Sequence, residues 1–231
     1  MPTSVESDQL LLKIVHDARS FLRKSLTRTQ MLKRDSGSSL SVDGNKLLAE
    51  VLEAHRGLEE FLTRVSEYGQ AGGDLEQSDA QAPAHHQIQA AIRRAMPLAG
   101  ECEIRLESGG ERSDAWLPTQ FQKAVGELLD NALKFRQPGP GVIQVVVYPS
   151  PQELVLEVQD DGIGIEPQYY ATIFHPLTKL HPRAQYPGAG LGLAIASKII
   201  GAMNGTISVN SAGPKGCSFR IVVPTKLNQA S

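Results

Sequence analysis

The sequence predicts an α+β protein: an N-terminal antiparallel helical hairpin, completed to a four-helix bundle by a second copy, and then an α/β sandwich with one mixed sheet and helices on one face. Three observations predict it. Two apolar stripes at helical spacing precede residue 70, a polar glycine- and alanine-rich stretch follows at Gly69–His85, and beyond it β-branched runs are segregated from helices.

Leu11, Ile14, Val15, Ala18, Phe21, Leu22 and Leu26 recur at steps of mostly three and four, which predicts a first helix over about Leu10–Leu32. The polar break "RDSGSSLSVDGN" ends it. Leu47, Leu48, Val51, Leu52, His55, Leu58, Phe61, Leu62, Val65 and Tyr68 then repeat the pattern. Each helix would be ~25 residues and ~37 Å long. A hairpin of two such helices buries one face of each, so a homodimer is expected. The stretch "GQAGGDLEQSDAQAPAH" reads as a linker, giving a division into residues 1–70, a linker at 71–84 and a second domain at 85–231.

In the second domain a helix is expected at about His86–Leu98 and a strand near Cys102–Leu106. "LPTQFQKAVGELLDNALKFR" reads as a strong helix with Pro118 in its first turn. Phe121, Val125, Leu128, Leu129, Ala132 and Leu133 form its inner face. "VIQVVVYP" and "ELVLEVQD" are β-branched strands around a "SPQ" turn. A further helix runs to about Met203, and "GTISVNS" with "CSFRIVVP" closes the domain as a hairpin.

Composition narrows the function classes. Hydrophobic residues make up 41% and charged residues 21%, the balance of a globular chain rather than a disordered one. A net charge of −2 and 5% aromatic residues disfavour a nucleic-acid surface. No apolar run reaches the roughly 20 residues of a membrane helix. The N-terminus lacks signal-peptide order, and Cys102 and Cys217 lie far apart without metal spacing, so a cytoplasmic location is expected.

Four patches carry chemistry. In "ELLDNALKF", Glu127 and Asn131 are four apart and share a helix face with Lys134. An amide oxygen with water can hold Mg²⁺, and a lysine offers phosphate a point charge. In "DDGIGI", Asp160 ends a strand and can accept a hydrogen bond from an exocyclic amine, while Gly162 and Gly164 turn the chain. "IFHPLTKLHPRAQYPG" is polar and proline-punctuated, like a lid. "YPGAGLGLAI" places Gly188, Gly190 and Gly192 at alternate positions before a helix, where backbone can approach a phosphate. Each patch alone has an ordinary reading as a polar helix stripe, a strand-ending turn, a surface loop or a tight turn.

In this order the four patches resemble the ATP-binding domain of histidine kinases, within the wider group that includes gyrase-type and Hsp90-type ATPases. The resemblance runs from about Pro118 to Pro224. It implies ATP and Mg²⁺ as ligands. Asn131 would coordinate Mg²⁺ and Lys134 would contact phosphate. Asp160 would bind the adenine amino group with Gly162 and Gly164 beside it. Gly188, Gly190 and Gly192 would frame the phosphates, and Lys179 or Arg183 would reach the γ-phosphate. Glu127 stands where many histidine kinases have a second asparagine; gyrase-type ATPases place a water-activating glutamate there, so Glu127 is a candidate for assisting Mg²⁺ or acting as a base. Ala189 replaces a common threonine.

The hairpin segment "VHDARSFLR" resembles the phosphoacceptor box of phytochrome-type histidine kinases, as does "LHPRAQYPGAGLGLAI" in the lid. This makes His16 the expected acceptor, with Asp17 holding the proton on the other ring nitrogen. Phe21 stands where the family has proline. Ser20 occupies a position linked in other subclasses to phosphatase activity, and weak phosphatase activity at most is expected here. His55, on the second helix, lacks an acidic neighbour and reads as packing.

The resulting expectation is a dimeric histidine kinase core that moves the ATP γ-phosphoryl group to its own His16 and then to an aspartate of a response regulator receiver domain. The weighed alternatives are a histidine phosphotransfer adaptor with a degenerate ATP domain, and a serine kinase or plain ATPase on the same nucleotide fold. Met1–Asp8 is too short for a sensor, so the signal is expected from a sensory domain of a longer chain or from a protein in trans.

Overall fold

The computed structural model describes residues 4–36, 40–73, 81–109, 115–181, 186, 188–211 and 216–225. The chain divides into two compact units, Met1–Gln70 and Ala71–Ser231.

The first unit is a hairpin of α1 (Ser4–Ser36) and α2 (Val42–Gln70). Both helices are longer than their apolar stripes. Lys33 and Arg34 favour the extension of α1, because cations oppose the negative end of the helix dipole. Ser41 starts α2: its hydroxyl accepts from the Gly44 amide at 3.0 Å, and its carbonyl accepts from the Asn45 amide at 3.0 Å. Val15, Leu48 and Leu62 are buried between the helices, and Gly69 lets them close, since a Cβ there would stand 3.0 Å from Leu12 Cδ2. Two polar contacts set the register. His55 Nε2 lies 3.0 Å from Ser25 Oγ, and Arg19 donates to Thr63 Oγ1 at 3.1 Å. A second apolar face stays exposed, with Leu10, Ile14 and Phe21 on α1 and Leu47, Val51 and Leu58 on α2.

The second unit runs β1 (Gln81–Pro83), α3 (Ala84–Ala99), β2 (Cys102–Ser108), β3 (Trp116–Pro118), α4 (Gln120–Phe135), β4 (Gly141–Pro149), β5 (Glu153–Gln159), a short 3₁₀ turn at Pro167–Tyr169, α5 (Gly192–Ala202), β6 (Thr206–Asn210) and β7 (Ser218–Pro224). The main sheet has the order β2-β4-β5-β7-β6; β2 and β4 are parallel and the other neighbours antiparallel. A parallel pair needs a crossover, and the stretch through β3 and α4 supplies it. Alternation sorts the strands: Ile143, Val145, Leu154, Leu156, Val158, Phe219 and Ile221 are fully buried. Phe121, Val125, Leu128 and Leu129 of α4 and Ile195, Ile199 and Ile200 of α5 complete the same core. The opposite face is polar, with Arg220 donating across strands to Glu157 at 2.9 Å.

Two details differ from the sequence expectation. The stretch read as a linker at 71–84 contributes both its ends to the second unit. Ala71 is buried, the Gly72 amide donates to Gln120 Oε1 at 3.0 Å, and β1 pairs antiparallel with β3. Pro118 ends β3 instead of opening α4, which starts at Gln120; a residue without an N–H suits the end of a two-stranded ribbon as well as a helix start. Gln87 locks this corner. Its amide nitrogen donates to the Ala82 and Leu117 carbonyls at 3.0 and 2.8 Å, and its oxygen accepts from the Gln122 amide at 3.0 Å.

Candidate nucleotide site and phosphoacceptor

The polar edge of α4 carries three of the sequence-selected residues. Glu127 is buried at 5% exposure, Asn131 follows one turn later and half-exposed, and Lys134 lies in the last turn. Among the described residues nothing bonds the Asn131 amide, so its oxygen is available to a ligand. The Lys134 ammonium lies 4.9 Å from the centroid of the Phe135 ring. Burial, and then the neighbouring charge of Lys179, hold its pKa below the usual lysine value. Two like charges brought together in this way favour an anion between them.

Asp160 sits just past the end of β5. Its Oδ1 accepts two backbone N–H bonds, from Gly162 at 2.9 Å and Cys217 at 3.2 Å, and its own amide donates to the Cys217 carbonyl at 2.9 Å. Among the described residues no donor reaches Oδ2, which leaves that oxygen as an acceptor. Burial pushes the carboxyl above the usual range, the two backbone bonds pull it part of the way back, and Asp161 pushes it up again. The glycines here are required by close approach. A Cβ on Gly162 would stand 2.6 Å from the Phe135 carbonyl, and Gly216, at φ +90°, would drive one into the carbonyl of Asp160. The Ile163 amide also donates to the Phe135 carbonyl at 3.1 Å, joining this loop to the end of α4. Gly164 turns the chain at φ +77°.

The third and fourth patches meet α4 at the same end. Gly188, at φ +136°, faces the Lys134 ammonium, which would lie 3.0 Å from a Cβ added there. Gly190, at φ +71°, packs against backbone, and a Cβ at this position would stand 2.8 Å from the Thr178 carbonyl. Gly192 opens α5, and the preceding Leu191 gives no side-chain cap to the first-turn amides. Phe135, His181 and Tyr186 form a ring cluster, with Phe135 and Tyr186 centroids 4.8 Å apart. Lys179 is thus placed electrostatically beside Lys134; Arg183 lies outside the described residues.

Two contributors were missed from sequence. Cys217 fixes Asp160 through its backbone, 57 residues away in the chain. Phe135 couples the lysine-bearing turn to the Asp160 loop. Phe135 closes the motif that carries Lys134, whereas nothing in the sequence points to Cys217.

In the hairpin, His16 is exposed and its Nδ1 lies 3.2 Å from Asp17 Oδ1. A carboxylate partner places the proton on Nδ1 and leaves the Nε2 lone pair facing solvent. His55 differs. Its Nδ1 lies 2.7 Å from the Val51 carbonyl and must donate there, while Nε2 meets the Ser25 hydroxyl. Both nitrogens of His55 are engaged, Nδ1 within α2 and Nε2 across the hairpin to α1.

Residues 116–227 match the family of histidine kinase-, DNA gyrase B- and HSP90-like ATPases. That match covers a little under half of the chain; with the helical hairpin before it, the arrangement is similar to that of histidine kinase cores. It is 29% identical over 218 residues to "Cyanobacterial phytochrome A" of Nostoc sp., covering 90% of this chain and 27% of that protein. It is 27% identical over 229 residues to "Adaptive-response sensory kinase SasA" of Synechococcus sp., covering 94% of this chain and 59% of that protein. The chain therefore spans less than two thirds of either relative. Among solved structures, full-length ShkA in complex with AMPPNP superposes over 95% of this chain and 46% of its own, with a TM-score of 0.72 at 20% identity, a likeness of fold. The mycobacterial sensor histidine kinase MprB covers 64% of this chain and 97% of its own, with a TM-score of 0.56 at 26% identity. No described helix is long and apolar enough to cross a membrane.

Proposed function

We propose that this chain is the catalytic core of a sensor-type histidine kinase, which phosphorylates its own His16 from ATP and passes the phosphoryl group to an aspartate of a response regulator receiver domain. The observation that carries the reading is the state of His16: an exposed imidazole with Nδ1 tied to Asp17 and Nε2 free, in a chain whose second unit is a kinase-like ATPase domain. Nε2 attacks the γ-phosphorus, and the bond to the ADP oxygen breaks with its electron pair leaving on the β-phosphate. The ring then carries a positive charge that Asp17 offsets. Phosphoryl transfer needs positioning and charge neutralisation above all.

In this reading Asp160 Oδ2 accepts from the adenine amino group, and the loop at Gly162 and Gly164 borders the base. Lys134, Lys179, Gly188, Gly190 and the opening of α5 at Gly192 surround the phosphates. The free amide oxygen of Asn131 suits Mg²⁺, which favours oxygen ligands and keeps several waters; Glu127, one turn away, would act on that ion or its waters. Bound Mg²⁺ supplies charge neutralisation at the phosphates. The second apolar face of the hairpin supports a homodimer.

The test is labelling with γ-³²P-ATP. Wild-type protein should acquire acid-labile, base-stable label on one histidine, and His16→Ala should lose it while still binding ADP by calorimetry. Persistent label in His16→Ala would overturn the acceptor assignment, and absence of nucleotide binding by either protein would overturn the reading as a whole.

A further inference from the structure

Ser211, the residue after β6, bridges two segments that are far apart in the chain. Its hydroxyl accepts from the Ile165 amide at 3.2 Å, on the loop that follows Asp160. It donates to the Gly216 carbonyl at 2.7 Å, one residue before Cys217. With the bonds from Gly162 and Cys217 to Asp160 Oδ1, these contacts close a ring through Asp160, the loop at 162–165, Ser211, Gly216 and Cys217. Tyr170 holds the serine from outside the ring. Its hydroxyl accepts from the Ser211 amide at 2.8 Å and donates to the Ser211 carbonyl at 3.1 Å. The one proton of the phenol and a lone pair are thus both committed to the backbone of a single residue. Two such bonds fix how that backbone is turned, and with it the direction in which Oγ leaves. The tie starts from an ordered turn, since Tyr170 caps the 3₁₀ turn at Pro167–Tyr169 and its amide donates to the Pro167 carbonyl at 3.2 Å.

We propose that Tyr170 and Ser211 are positioning residues for the recognition of adenine by Asp160, an inference that rests on the nucleotide reading above. Asp160 aims Oδ2 only while both backbone donors stay on Oδ1. Those donors belong to separate segments, Gly162 to the loop and Cys217 to the approach to β7. Ser211 fixes the separation of the two segments, and Tyr170 fixes Ser211. Neither side chain has to touch the nucleotide. Without either hydroxyl the loop and Cys217 part, Oδ1 loses a donor and the carboxylate turns. Hydrogen bonds weaken steeply with angle, so a small turn is enough. The site then keeps its hold on the phosphates and gives up discrimination at the base.

The test is calorimetry of the full chain with Mg²⁺ and two ligands, ADP and the 5′-diphosphate of purine riboside, which lacks the 6-amino group. Wild-type protein should prefer ADP by at least about tenfold. Tyr170→Phe and Ser211→Ala should each cut that preference to about threefold or less, while affinity for the purine riboside diphosphate stays within about twofold of wild type. A merely structural role would weaken both ligands alike, and equal weakening overturns the proposal. A Tyr170→Phe protein with the full wild-type preference overturns it too, whatever Ser211→Ala does. Tyr170→Phe keeps the ring and removes one oxygen, so the test stands even where Ser211→Ala fails to fold. Wild-type protein that binds both ligands equally removes the adenine reading of Asp160 and this inference with it.

Discussion

Asp160 shows how the two oxygens of one carboxylate can differ. Two backbone N–H groups hold Oδ1 and the second oxygen is left over. In Asp160→Asn the amide oxygen keeps the backbone bonds, which on the proposed reading turns the NH₂ toward the amino group of adenine, donor against donor. ADP binding should weaken at least about tenfold by calorimetry. Stability should move the other way. The folded-state pKa of Asp160 is raised by burial, so its favourable contribution is full below the unfolded value and lost as pH rises through the folded one. At neutral pH the ionised side chain opposes folding, and Asp160→Asn should melt no lower than wild type by differential scanning calorimetry; a lower Tm would contradict this. Cys217 is the matching case for a thiol. Burial and the nearby Asp160 push it up to about 11. It should therefore resist iodoacetamide at pH 7 in the native protein and react on unfolding, as mass spectrometry would read.

Elements differed in how far the sequence disclosed them. The α4 segment was legible because Phe121, Val125, Leu128 and Leu129 repeat at helical spacing, and the same spacing puts Glu127 and Asn131 on one edge. The sheet strands were legible from their β-branched runs. β1 and β3 were not, because three residues carry no period and the pairing of Gln81 with Pro118 depends on Gln87 between them. The contribution of Cys217 was invisible for a related reason: its role is played by an amide, which every residue but proline has. Glycines report geometry only once φ is known. Gly216 at φ +90° allows β7 to begin against Asp160. Gly216→Ala should cost about 1–3 kcal/mol in urea denaturation, from left-handed backbone and a steric conflict that the Asp160 carbonyl cannot yield to without moving the site. Gly201→Ala, in open space within α5, should be neutral or stabilising.

At the scale of the molecule, the hairpin has a small core and a large exposed apolar face, whereas the second unit is closed over its own core. Burying a side chain such as Ile14 or Phe21 contributes about 1.5–3 kcal/mol. If a second copy covers that face, Ile14→Glu should shift sedimentation from dimer to monomer and leave ADP affinity unchanged; an unaltered sedimentation coefficient would count against the homodimer. The order of the sheet carries another consequence. The family match begins at residue 116, but β2, at Cys102–Ser108, is the outer neighbour of β4. A protein trimmed to that boundary would bare the Val142–Val147 backbone as a new, strongly hydrophobic sticky margin, prone to self-association. Whoever wishes to express the second unit alone should therefore begin near Ala71, well upstream of residue 116.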